Sequence, residues 1–193
     1  MMRKLKITEM HRLTVEQFKD CVKMPVVVVL DDVRSMYNVG SVFRTSDAYR
    51  INGIALCGIT ACPPHPEIHK TALGAEDSVD WQHFDTAMDA VKFLHDEGYK
   101  VFAIEQAEGT TALQDWQVGN FDKEGKNNAK NPDEFVKIAV VLGNEVKGVH
   151  QEVVDACDGC IELPQFGTKH SLNVSTTAGI VIWHMAQQYL LKR

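Results

Sequence analysis

The sequence predicts an α/β domain built on a mostly parallel sheet with helices on both faces. Three observations carry that expectation. Short apolar runs alternate with helical patterns along the 193 residues, the order that builds strand–helix–strand units. The runs are apolar throughout rather than at every second position, as strands buried on both faces require. The polar, chemically versatile residues fall just after those runs, where ligands bind in such sheets.

Taken in order, residues 1–13 read as a loosely held arm. Thr14-Val15-Glu16-Gln17 fits a capping box that opens a short helix, and Pro25 ends it. Residues 1–24 therefore form an arm and short helix, and residues 25–193 the main domain. The β-branched run 26–30 is the first strand. A polar loop to Asn38 precedes a helical pattern over 40–49, Asn52-Gly53 makes a turn, and 54–57 is the second strand. Residues 58–80 read as a long loop stiffened by Pro63, Pro64 and Pro66. Asp85 caps an amphipathic helix on which Ala87, Val91, Leu94 and His95 align, and 101–104 is the third strand. The polar stretch 119–134 reads as a solvated insertion. The fourth strand is 136–142, a short helix covers 148–156, and the fifth strand is 160–163. A last helix, 176–191, carries Ala178, Ile182, Met185 and Ala186 on one side.

Composition bounds the function. With 20 basic and 26 acidic side chains, a net of −6, the chain is not a general charge-driven nucleic-acid binder, which needs clustered Lys and Arg. A local patch remains open from Arg34, Arg44, Arg50, Lys70, Lys147, Lys169 and His170. No apolar stretch follows the first residues as a signal peptide would, and the longest apolar run, 25–30, is too short to span a bilayer. Five cysteines with no export signal imply reduced thiols in the cytoplasm, with no membrane partner.

Three polar clusters follow apolar runs. In the first, 38–44, Asn38 and Arg44 either face a cleft or are a helix cap and a surface arginine. In the second, 142–148, Gly143 and Gly148 permit close backbone approach or positive φ. The amides there suit an anionic or nucleotide-like ligand, or form an ordinary strand–helix turn. The third, 163–175, is densest: either its backbone amides face a ligand, or Ser171 or Asn173 simply caps the last helix. Neither GxxxxGK[ST] nor GxGxxG occurs. Cys57, Cys62, His65 and His69 have zinc-like spacing, but Cys57 falls in an apolar strand, so no metal is expected. Cys157 and Cys160 form a CxxC that precedes a strand, and read as half-buried thiols rather than a redox pair.

In this order the clusters resemble the SpoU/TrmH family of RNA ribose 2′-O-methyltransferases, within the SPOUT superfamily. Asn38 through Arg44 resembles the family's first motif. Val141-Leu142-Gly143-Asn144-Glu145 through Gly148 resembles its next motif. Pro164, Gly167 and Ser171-Leu172-Asn173-Val174-Ser175 resemble its last, and Thr71-Ala72-Leu73-Gly74-Ala75 is similar to the family's usual intervening loop. Gln165-Phe166 and Thr176-Thr177 depart from the common pattern. The resemblance implies a C-terminal deep trefoil knot, a homodimer, and S-adenosylmethionine as methyl donor, with S-adenosylhomocysteine as product. It implies donor contacts from Leu142, Gly143, Glu145, Gly148, Ile161, Leu163, Ser171 and Leu172. Asn38, Arg44, Glu145, Ser171 and Asn173 would carry catalysis or hold the site together. Arg44 either acts with a substrate phosphate as proton acceptor or binds that phosphate and orients the ribose. The implied substrate is RNA, with tRNA expected before rRNA because no extra domain precedes the core. The alternatives are a non-catalytic RNA-binding or assembly factor on this fold, and a plain doubly wound nucleotide-binding protein.

Overall fold

The computed structural model describes residues 2–119 and 136–191, so all of the polar stretch 119–134 except Gly119 lies outside the described residues. The seven described strands form one sheet in the order β3-β2-β1-β6-β4-β7-β5, and every pairing is parallel. The strands are β1 (Met24–Asp31), β2 (Ile51–Cys57), β3 (Trp81–Phe84), β4 (Lys100–Ile104), β5 (Thr111–Ala112), β6 (Ile138–Leu142) and β7 (Gly159–Glu162).

The parallel α/β expectation holds because the central strands need both faces covered. Successive residues of each strand point to opposite faces, and the two faces carry separate cores. Val26, Val28 and Leu30 of β1 and Ile138, Val140 and Leu142 of β6 join one core. It is completed by α2 (Met36–Ala48), α3 (Pro66–Ala72), α4 (Ala75–Ser78) and α7 (Val174–Ala186). Val27, Val29, Ala139 and Val141 point the other way. They meet Ala90, Val91 and Leu94 of α5 (Ala87–Asp96) and Val153 of α6 (Gln151–Ala156).

Helix α1 (Val15–Asp20) opens with the predicted capping box. Gln17 N donates to Thr14 Oγ1 at 3.2 Å, and Thr14 N donates to Gln17 Oε1 at 2.9 Å.

Several local expectations are corrected. Residues 58–80 are not one loop but hold α3 and α4, with Pro66 in the first turn of α3, where a missing N–H is harmless. Helix α2 starts earlier than expected, with Ser35 as its cap, so Asn38 is inside the helix. The turn falls at Tyr49-Arg50 rather than Asn52-Gly53, which lie in β2; Arg50 takes φ +50. Thr86, not Asp85, caps α5. His95 leaves the apolar face and pairs with Asp158 at 3.0 Å. Strand β3 was missed because Trp81, Gln82 and His83 are exposed at the sheet edge, and β5 because it is two residues long.

Gly40 sets the distance between α2 and α3. A Cβ there would lie 2.2 Å from Ile68 O and from Thr71 Oγ1, so the helices touch backbone to backbone. That contact fixes α2, and with it the segment entering α2, against the sheet.

Candidate active site

Four loops meet at the carboxyl ends of β1, β4, β6 and β7, and three of them line a cavity of about 660 Å3. That volume lies inside the about 300–1,000 Å3 typical of small-molecule sites. Its lining includes Leu142, Gly143, Glu145 and Gly148 from the loop after β6, and Leu163, Ser171, Leu172 and Asn173 from the loop after β7. Seven of the eight positions expected to touch a methyl donor therefore share one cavity. The eighth, Ile161, is fully buried in β7 beneath it, where its carbonyl accepts from Glu105 N at 3.1 Å.

The loop after β6 is closed on itself. Asn144 and Gly148 exchange backbone hydrogen bonds of 3.0 and 2.9 Å. Asn144 Oδ1 accepts from Val146 N at 2.9 Å and Lys147 N at 3.2 Å. The amides expected to face a ligand are thus taken at those two positions by the Asn144 side chain. Its Nδ2 donates to Asp32 O at 2.8 Å, tying the loop to the end of β1. Both glycines are required: a Cβ at Gly143 would sit 2.0 Å from the Gly148 carbonyl carbon, and Gly148 has φ +71, a region that side-chain-bearing residues avoid.

The three sequence clusters are joined by side chains. Glu145 accepts from Arg34 N, Ser35 N and Asn38 Nδ2, each at 3.0 Å. Asn38 Oδ1 accepts from Asn173 Nδ2 at 3.1 Å. Asn173 Oδ1 accepts from Ser175 N at 2.9 Å and Thr176 N at 3.3 Å, which makes Asn173, rather than Ser171, the cap of α7. Ser171 lies exposed on the cavity wall. Burial alone would raise the Glu145 carboxyl, but hydrogen bonds from the amides of Arg34, Glu145 itself and Ser35 and from the Asn38 side chain together outweigh it and hold its pKa below the usual carboxylate value.

Arg44 stands apart. It is exposed on α2, does not line the cavity, and makes no hydrogen bond or ion pair to any described residue. Tyr37, Ser41 and Arg44 recur at helical spacing on one outward side of α2.

Glu105 is the main residue that motif reading missed. It follows β4 and lines the cavity. Its carboxylate accepts from Gln106 N at 2.9 Å and Val149 N at 3.1 Å. It lies so near Gly148 that a Cβ there would meet Glu105 Oε2 at 2.1 Å. An acidic residue ending a buried apolar strand was its one available signal.

The zinc-like quartet is not gathered. Among the described residues, the His, Cys, Asp and Glu side chains that converge in threes or more are Asp31, Asp32 and His150. These bond one another: His150 N donates to Asp31 Oδ2 at 3.1 Å, and His150 Nδ1 lies 2.9 Å from the same oxygen. Cys157 and Cys160 are half-buried. Burial, helped by Cys160 and Asp158, pushes the Cys157 thiol up to about 12.

A parallel sheet with a cavity of ligand size at the carboxyl ends of its central strands, walled by loops that interlock through an amide relay, places the chain in the class of open α/β domains. The SpoU rRNA Methylase family model matches residues 25–183, and the chain belongs to that family. It is 26% identical over 163 residues to the putative TrmH family tRNA/rRNA methyltransferase YacO of Bacillus subtilis, covering 84% of this chain and 59% of that protein. It is 25% identical over 168 residues to the 23S rRNA (guanosine-2′-O-)-methyltransferase RlmB of Neisseria meningitidis, covering 87% and 60%. The chain thus spans about three fifths of the length of these curated relatives. Among solved structures, the TrmH/SpoU tRNA modifying enzyme of A. aeolicus superposes with TM-score 0.73 at 20% identity, over 92% of this chain and 82% of that one. An AdoMet-bound rRNA methyltransferase from Sinorhizobium meliloti gives 0.72 at 23%, over 90% and 60%. These likenesses show the same fold. Among the described residues, no helix is long and apolar enough to cross a membrane.

Proposed function

We propose that the chain is an S-adenosylmethionine-dependent RNA 2′-O-ribose methyltransferase that works as a cytoplasmic homodimer. The observation that carries this reading is the Glu145–Asn38–Asn173 relay, which locks all three motif segments together at one cavity. The donor fits: the cavity has room for a nucleoside with a short side chain, and Glu105 and Glu145 supply negative charge for a cationic one.

S-adenosylmethionine, when bound, supplies an electrophilic methyl group on a positively charged sulfur. Leu142, Gly143, Gly148, Leu163, Ser171 and Leu172 would hold it, with Ile161 supporting the floor. Glu145 is a positioning residue, since its oxygens are engaged by Arg34, Ser35 and Asn38. Arg44 is the group that meets RNA. A guanidinium is a very poor base, so Arg44 binds the phosphate beside the target ribose and orients the 2′-hydroxyl, and the phosphate accepts the proton. Holding nucleophile and electrophile in line lowers the barrier to transfer.

Arg44 lies outside its own chain's cavity, and that supports a dimer in which α2 of one protomer faces the cavity of its partner. Ile180 and Trp183 on α7 are about 40% exposed and offer apolar surface beside α2. The chain passes from β7, beyond β4, back to α7 packed on α2; that return supports the deep trefoil knot. For the RNA, tRNA comes before rRNA. A structure described by its 2-OH methylation of C/U34 on tRNA is matched over 97% of its length, with TM-score 0.67 and 21% identity.

The test is calorimetry with S-adenosylhomocysteine, light scattering of the purified protein, and nucleoside mass spectrometry of tRNA and rRNA from cells lacking it. Donor-product binding, a dimer mass and one missing 2′-O-methylnucleotide are expected. No binding removes the enzyme reading. Binding without any missing methyl group leaves an RNA-binding factor.

A further inference from the structure

The loop between β7 and α7 carries a feature that donor binding does not use. Phe166 is 97% exposed. Gln165 and His170, on either side of it, line the cavity, while Phe166 does not. Its side chain therefore stands at the rim of the methyl-donor cavity and projects into solvent. The loop is anchored there: Gln106 Nε2 donates to His170 O at 2.8 Å, and Asn173 fixes its far end on α7.

Charge around this loop differs from that of the rest of the chain. All 26 Asp and Glu residues precede Leu163. Lys169 and His170, three and four positions after Phe166, are exposed, with no acidic side chain in the loop. A flat apolar ring on a loop that carries Lys169 and no carboxylate of its own is the surface that single-stranded nucleic acid selects. Any base can stack on the ring, and Lys169 offers the phosphates a cation.

We propose that Phe166 is a substrate-positioning platform, on which a base of the RNA next to the methylated ribose stacks while Lys169 meets its backbone. This rests on the RNA methyltransferase reading and adds the residue that presents the target nucleotide to the cavity. A protein partner or a second copy of the chain would use the same ring differently: the first would leave RNA affinity unchanged, and the second would change the mass of the assembly.

The experiment compares full-length wild type with Phe166→Ala and Phe166→Trp. Phe166→Ala is expected to raise KM for RNA about tenfold, the size of a lost base stack. Its kcat at saturating RNA and its calorimetric affinity for S-adenosylhomocysteine stay at wild-type values. Phe166→Trp restores KM, and its added fluorescence is quenched when a short single-stranded RNA oligonucleotide is titrated in. An unchanged KM in Phe166→Ala overturns the proposal, as does a drop to monomer mass in light scattering. If wild type neither binds S-adenosylhomocysteine nor methylates RNA, the functional reading itself fails, an outcome separate from an active wild type with an indifferent Phe166→Ala.

Discussion

Substituting Glu145 removes the acceptor at which the segments after β1 and β6 meet. The carboxylate takes three hydrogen bonds, from Arg34 N, Ser35 N and Asn38 Nδ2. A hydrogen bond to a charged group contributes about 1.5–3 kcal/mol when shielded. Glu145 is largely exposed, so water replaces much of that, and Glu145→Ala should cost about 2 kcal/mol in all. Glu145→Gln keeps Oε1 for Ser35 N and Asn38 Nδ2 but turns an NH2 onto Arg34 N, and should cost about half as much. The pH dependence has a definite sign. The folded pKa lies below the ordinary 4.5, because these three donors and Glu145's own amide together outweigh the opposing effect of burial. The stabilisation is therefore full above 4.5 and fades as pH falls through the folded value. Urea unfolding of wild type and Glu145→Ala should show a gap at pH 7 that narrows as pH falls below the ordinary 4.5 and through the folded value. Equal midpoints at pH 7, or a gap that widens in acid, would refute the reasoning. Affinity for S-adenosylhomocysteine should fall in parallel, because the loop held by Glu145 walls the cavity.

Gly148→Ala should cost about 2 kcal/mol and weaken S-adenosylhomocysteine binding, since it combines a left-handed φ with displacement of Glu105 from Val149 N; unfolding and calorimetry check both. Arg44→Ala should lower methyl transfer about 100-fold or more, with stability and donor-product affinity at wild-type values, because its side chain contacts neither core nor cavity. Arg44→Lys should recover little of the rate, since an ammonium lacks the planar fork. Cys157, whose thiol is pushed up to about 12 by burial, should resist iodoacetamide at pH 8 in the folded protein and react once urea unfolds it, which mass spectrometry reads directly.

The central architecture was legible because its physics is local. Valines at 26–29 can only be satisfied with both faces covered, and they are divided between the cores on the two faces of the sheet. The capping box at Thr14 and the apolar side of α7 were equally plain. What escaped is what depends on distant partners. Trp81–Phe84 is an edge strand whose polar side chains face solvent, so no apolar pattern marked it. The prolines around α3 read as loop, yet Pro66 starts a helix. In the site, residue types were legible and pairings were not. Asn173 was a candidate cap, but its other contact is to Asn38, 135 positions earlier, and no spacing predicts that. Glu105 belongs to no motif and is defined only by the Gly148 backbone that packs against it.

Those pairings also have a direction, which makes one substitution particularly diagnostic. An ionised Glu145 can only accept, so Asn38 must present its NH2 to it. Asn38 Oδ1 then needs a donor and finds Asn173 Nδ2, which leaves Asn173 Oδ1 to cap α7. Each amide orientation is thus set by the one before it, starting from a carboxylate. Asn38→Asp is nearly isosteric but places a second carboxylate about 3.0 Å from Glu145 Oε1, at a position only 8% exposed. Two such groups cannot both ionise cheaply, so one pKa rises above its unfolded value. Sharing a proton relieves the penalty in acid, and the penalty is complete at neutral pH. Asn38→Asp should therefore be less stable than Asn38→Ala at pH 7, by about 1 kcal/mol or more, and should overtake it as pH falls toward 4. Thermal melts of both variants across that range decide it. Equal melting temperatures at pH 7 would mean that Glu145 and residue 38 are not coupled as the relay requires.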